Sequence, residues 1–272
     1  MTVPPALTPV LIERLERAVL RKGRDALLRA AALPDNPYAV TVTQRGDLLA
    51  YRVGTLPHLP WYNTMTGVSE ATLPALDEVL ALYAASGIPP SLSVWATHLS
   101  PVLGAALFDR GLTPRGVGIT LYAVARTPGV VSVPGVTVRE LAPGGEVEVF
   151  ESVLLGGYGF THPVQQALAV LENEGPGVRR FLALVDDQPA AVGTLTEHDG
   201  IAYLAGAASL PMMRGLGAQT ALIRTRLATA AQSCELVTVT TAFASRSQQN
   251  LEKNGFRVAH LKTAWALRDS LG

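Results

Sequence analysis

Hydrophobic and polar positions along this chain follow two periods, and the switches between them mark its elements. Leu73, Leu76, Val79, Leu80 and Tyr83 recur at steps of three and four residues and predict an amphipathic helix. Short apolar runs rich in β-branched residues, "SLSVWA" from Ser91 and "ELVTVT" from Glu235, predict strands. The second half reads as strand 136–141, helical 145–155, strands 181–185, 190–197 and 201–209, helix 217–232, strand 234–241, helix 247–254 and strand 256–267. "EHDG", Glu197 to Gly200, carries the Asp-Gly signature of a tight hairpin turn between two of those strands.

The pattern repeats. "LFDRGLTPRGVGITLYAV" from Leu107 matches "LEKNGFRVAHLKTAWALR" from Leu251, a shift of 144 residues from 107 to 251. The same shift carries the Leu73 helix onto the one beginning at Gly217, where Ile223 and Leu227 lie on the apolar face, and "SLSVWA" onto "ELVTVT". The hairpin "AVTVTQRGDLLAYRVG" from Ala39 resembles "LALVDDQPAAVGTL" from Leu182 after a short indel. Two copies of one α/β unit are therefore expected, at residues 1–128 and 133–272, divided by the Pro-Gly-rich stretch "RTPGVVSVPG" from Arg126 to Gly135.

Composition narrows the possibilities. With 272 residues, 48% of them hydrophobic, the chain can bury a large core, and the balance of 22 basic against 22 acidic residues provides no global field for nucleic acid or an anionic membrane. No apolar run reaches bilayer-spanning length, and "MTVPPALTPVLIERLERAV" lacks the order of a signal peptide, so a cytoplasmic location is expected. The single cysteine, Cys234, opens a predicted buried strand and reads as an inert core thiol, and the five histidines have no metal-ligand spacing, so no metal is expected.

The stretch "SLPMMRGLGAQTAL" from Ser209 places two glycines between a predicted strand and a predicted helix. Such a loop can aim backbone N–H groups at an anion, where the helix dipole assists. A Rossmann fingerprint fits badly, because Thr220 stands where a third glycine belongs and the next strand does not end in an acidic residue. The stretch instead resembles motif A of the GCN5-related N-acetyltransferases, with Arg214, Gly215, Leu216 and Gly217 in the Arg-x-x-Gly frame and Pro211 upstream. Gln219 departs from the Gly or Ala usual at its position. "SQQNLEKNGFRVA" from Ser247 resembles motif B of the same family.

That resemblance implies two tandem acyl-CoA N-acyltransferase-fold domains, each a mixed, mostly antiparallel sheet flanked by helices, in the α/β (α+β) class. It also implies acetyl-CoA as co-substrate, held by the amides from Arg214 through Gly215, Leu216, Gly217, Ala218 and Gln219 to Thr220. Ala207, Ala208 and Ser209, on a strand that splays from its neighbour, would follow the pantetheine arm, with Ser247 and Asn250 touching it from motif B. The family's tyrosine acid is replaced by Leu251, so thiolate departure needs another acid or none. Glu197, His198 and Tyr203 are the candidate bases, and the loop "GGYGFTHP" from Gly156 is placed where acceptors enter. The expected reaction is direct acetyl transfer to a primary amine of a small molecule or peptide. A catalytically silent acyl-CoA-binding module and an aminoacyl-tRNA-dependent transferase are the alternatives. The first copy, with Glu70, Ala71, Thr72 and Leu73 in place of the motif A loop, is expected not to bind the cofactor.

Overall fold

The computed structural model describes residues 4–129 and 132–268; Val130 and Val131 of the Pro-Gly linker and Met1–Val3 of the N-terminal stretch lie outside them. The first half runs α1 (Pro9–Ala31), β1 (Val40–Arg45), β2 (Leu48–Val53), β3 (Thr64–Thr66), α2 (Leu73–Ala85), β4 (Ser91–Trp95), α3 (Pro101–Asp109) and β5 (Leu112–Val124). The second runs β6 (Val136–Leu141), α4 (Val147–Tyr158), α5 (Pro163–Asn173), β7 (Arg179–Val185), β8 (Gln188–His198), β9 (Ile201–Ser209), α6 (Ala218–Ala230), β10 (Leu236–Ala242), α7 (Arg246–Lys253) and β11 (Arg257–Leu267).

The repeat read from the sequence is present in the strand pairing. β1–β2 and β2–β3 are antiparallel and β3–β4 is parallel; β7–β8 and β8–β9 are antiparallel and β9–β10 is parallel. Each copy thus builds a mixed, mostly antiparallel sheet, as expected. Helix α5 is an addition the sequence reading did not separate, and "GGYGFTHP" is only partly a loop, since α4 continues through Gly156 and Gly157 to Tyr158.

The chain folds into two compact units, and neither is a contiguous stretch. One comprises Met1–Gly23 with Thr120–Ala259, the other Arg24–Ile119 with His260–Gly272. The division at the linker cuts across both units, because β5 and β11 each pass from one into the other. In the unit around Arg24–Ile119, the sheet runs β1-β2-β3-β4-β11, with Lys262–Ala266 of β11 antiparallel to Ser91–Trp95 of β4. Its core joins Leu76, Val79 and Tyr83 of α2 to Leu92 and Val94 of β4 and to Trp265 from the end of the chain.

In the unit around Thr120–Ala259, the order is β5-β10-β9-β8-β7-β6. Thr238 Oγ1 donates to the Leu121 carbonyl at 3.1 Å, and the Ala125 amide donates to the Glu235 carbonyl at 2.9 Å, fixing the end of β5 beside β10. Leu11, Leu15 and Ala18 of α1 pack with Tyr122, Ile201 and Leu236. Phe150, Val153 and Leu154 of α4 pack with Leu182, Val192 and Ala208. The candidate site belongs wholly to this unit.

Candidate functional site

Parallel pairing between β9 and β10 runs from Ile201–Leu236 to Tyr203–Thr238, although both strands continue for several residues. The strands therefore part, and the first residues past the last pair, Leu204 and Val239, both line a cleft of about 620 Å³. A register shift between Val192 and Thr194 adds a bulge on β9 beside Gly193 and turns the free end of the strand.

Beyond Ser209 the chain makes one 3₁₀ turn, Pro211–Met213, then passes through Gly215 and Gly217 into α6. Gly217 caps α6 at φ +87° and ψ −7°, in the left-handed region that favours glycine. A Cβ there would stand 2.7 Å from Val133 Cγ1, so a side chain at Gly217 collides with the linker rather than entering the cleft. The first-turn amides of α6 have no intrahelical acceptor and are available to an anion at the cleft wall.

Ala207, Ala208, Ser209, Arg214, Gly215, Gly217, Ala218, Gln219, Thr220, Ser247 and Asn250, all singled out from the sequence, line this one cleft. Leu216 is exposed and outside the lining. Arg214 Nη2 donates to the Gly157 carbonyl at 3.2 Å, joining the loop to the end of α4. Gln219, the departure from the motif, is engaged in place: its Nε2 donates to the Ala208 carbonyl at 3.1 Å and to Ser209 Oγ at 2.9 Å. Thr220 Oγ1 donates to Asn250 Oδ1 at 3.1 Å and ties α6 to α7. Ser245 caps α7, accepting from the Gln248 amide at 3.1 Å, and Ser247 lines the cleft.

Sequence reasoning missed part of the lining. Arg226, Arg246 and Lys253 join Arg214 there, and the lining contains no Asp or Glu. In a chain of zero formal net charge, this concentration of cations makes a local positive field in a concave surface. The patterning gave one usable signal for Arg226, which lies four residues from both Leu222 and Ala230 on the buried side of α6.

Glu197, His198 and Tyr203 are not brought to the cleft. Glu197 is spent on Arg179, 3.4 Å away, and on Ser233 Oγ, which donates at 2.8 Å. His198 is engaged by Arg21 at 2.7 Å and Asp199 at 3.3 Å. Tyr203, one position before Leu204, points to the other face of the sheet by strand alternation, its hydroxyl 3.3 Å from Thr240 Oγ1. Burial raises its pKa well above the ordinary phenol range, which keeps it neutral and unsuited to accept a proton. The phenol on the cleft wall is Tyr158, at the end of α4. Cys234 lies just before β10 and is half-buried rather than within a buried strand.

Around the bulge, Lys22 of α1 is buried and donates at 3.0 Å both to Glu172 and to Asn173 Oδ1. Asn173 Oδ1 also accepts from Thr194 Oγ1 at 3.2 Å. Among the described residues, no group of three or more His, Cys, Asp or Glu could hold a metal, and no helix is long and apolar enough to cross a membrane.

No protein-family model matches the chain, and no curated protein matches it in sequence. Solved structures do match in fold over nearly its whole length. A GCN5-related N-acetyltransferase from Kribbella flavida superposes with a TM-score of 0.60 at 18% identity, covering 91% of this chain and 95% of its own. Another from Sphaerobacter thermophilus gives 0.61 at 13%, covering 97% and 96%. A tandem protein of this fold from the clavulanic acid biosynthesis pathway gives 0.56 at 13%, covering 97% and 90%. The chain has the tandem GCN5-related N-acetyltransferase fold.

Proposed function

We propose that this chain, with that fold as its frame, binds the coenzyme A portion of an acyl thioester in the cleft between β9, α6 and α7 and transfers the acyl group to a primary amine. The observation that carries the reading is the lining itself. A glycine loop opens α6, four cations and no carboxylate line the same cleft, and two strands part beside it. Phosphates suit the loop and its cations, and an extended arm suits the exposed backbone of Ala207–Ser209.

Acetyl-CoA, the co-substrate the sequence resemblance implies, supplies an activated acyl carbon. An amine nitrogen attacks that carbon, the carbon–sulfur bond breaks, and coenzyme A leaves as its thiolate while the nitrogen gives up a proton. The chain's part is to hold both reactants in line and to stabilise developing charge. Neither a carboxylate nor a histidine lines the cleft; in this reading water takes the amine's proton, and Tyr158, a phenol of the lining, protonates the leaving sulfur and is reprotonated from water.

A second reading, a silent acyl-CoA-binding module, is favoured by Gln219, whose amide occupies the Ala208 carbonyl on the proposed arm-binding strand. Calorimetry with acetyl-CoA, followed by thiol release in the presence of an amine panel, separates the two. Binding with turnover supports transfer, binding without it supports the silent module, and no binding overturns both. Gly217→Glu should abolish binding with the circular dichroism spectrum retained, through a strained backbone, displacement of the loop by Val133, and added negative charge.

A further inference from the structure

Arg226 is buried to 2% exposure on the third turn of α6, and its side chain is among the largest fully buried in the chain. Burying a guanidinium is costly unless its charge and N–H groups are answered. Three bonds to carbonyls answer part of the need: Nε to Leu222 at 3.1 Å, and Nη1 to Thr194 at 3.0 Å and Ala205 at 3.3 Å. Those acceptors are neutral, and a guanidinium has five N–H donors, so the two on Nη2 are left over. No carboxylate among the described residues pairs with it.

Its place is specific. Arg226 lines the cleft with Leu204, Ile223 and Tyr158, and its guanidinium covers Gly193 so closely that a Cβ there would meet Cζ at 2.7 Å. It sits eight residues into α6, about 12 Å along the axis from the phosphate-facing end. It also bonds Ala205, two residues past the point where β9 and β10 part. A thioester whose phosphates rest at the loop and whose arm follows β9 inward from Ser209 ends its acyl group there. The surroundings support an unmet charge, since burial draws the guanidinium's pKa down to about 10, with only the Tyr158 phenol opposing.

We infer that Arg226 is a carboxylate subsite and that the acyl group this chain takes from coenzyme A carries a terminal carboxylate, as a dicarboxylic acid monothioester does. The inference rests on the coenzyme A reading of the cleft, and it replaces acetyl by an acidic acyl group of succinyl or malonyl type. Gly193 leaves room for the planar guanidinium against the sheet, and the Arg226 bonds to β8 and β9 carbonyls hold it in place with the two Nη2 N–H groups left for a carboxylate.

The test is calorimetry of the full-length chain with coenzyme A, acetyl-CoA and succinyl-CoA, without an acceptor. Succinyl-CoA should bind at least tenfold more tightly than acetyl-CoA, and Arg226→Met should erase that ratio. If Arg226→Met does not fold, the wild-type ratio still decides. Equal affinity for the two thioesters, with coenzyme A itself bound, overturns the inference and leaves the coenzyme A reading standing. Failure to bind coenzyme A overturns that reading.

Discussion

Gly206→Ala tests the bulge that shapes the cleft. Gly206 sits at φ +54°, and a Cβ there would stand 2.0 Å from Asn173 Oδ1 and 2.9 Å from Thr194 Oγ1. No rotation of the new methyl relieves this, so Asn173 must leave its place, giving up its bonds with Lys22 at 3.0 Å and Thr194 at 3.2 Å. Left-handed backbone in a non-glycine residue costs about 1–2 kcal/mol. A charged hydrogen bond is worth about 1.5–3 kcal/mol and a neutral one about 0.5–1.5 kcal/mol. The sum is about 3–6.5 kcal/mol, or a fall of roughly 6–26 °C in the melting temperature at the 2–4 °C per kcal/mol expected of a domain this large. Urea unfolding followed by circular dichroism measures it. Asn173→Ala removes the colliding atom, so the double variant should be less destabilised than the sum of the single ones. A Gly206→Ala cost below about 1 kcal/mol, the bare left-handed backbone term, or strict additivity with Asn173→Ala, would refute the bulge geometry.

Three further outcomes follow from other parts of the molecule. Leu251 is 3% exposed, so Leu251→Ala should cost about 2–5 kcal/mol in unfolding free energy, and any loss of turnover should track the folded fraction. The Cys234 thiol is pushed up by burial and then by Glu197, so its thiolate fraction at neutral pH is depressed; iodoacetamide labelling should rise with pH and reach half its maximum only above the ordinary thiol range, whereas labelling that has levelled off by neutral pH contradicts this. One coenzyme A should bind per chain, because Glu70–Thr72 forms a 3₁₀ turn whose Glu70 carboxylate receives the Ser100 hydroxyl and would repel phosphate, so a calorimetric stoichiometry of two is the contrary result.

The helix and strand order was readable because each glycine or proline junction coincides with a change of period, as at Gly217, where a positive φ both ends the loop and begins α6. The cleft residues on that loop and on β9 were legible through the resemblance of the stretch to motif A, not through period alone. Glu197 and Tyr203 were misplaced because a hairpin position fixes where a side chain lies along a strand, while the face it presents depends on register, and here the bulge beside Gly193 changes the register within β8–β9. Arg226 escaped notice because an arginine in a helix reads as solvated unless its burial stripe is followed residue by residue. The exchange of β5 and β11 left no trace in the pattern, since a strand's apolar alternation is the same whichever neighbour it pairs with.

That exchange constrains how the protein can be made. Lys262–Ala266 complete the sheet begun by β1–β4, so the amino-terminal half leaves the ribosome with the edge of β4 lacking its β11 partner until residues 262–266 have been synthesised. Neither half is a module that could finish folding while the other is still being translated, and the two copies, whatever their shared origin, can no longer be separated by a cut at the linker without leaving each with an open strand edge exposed to other chains.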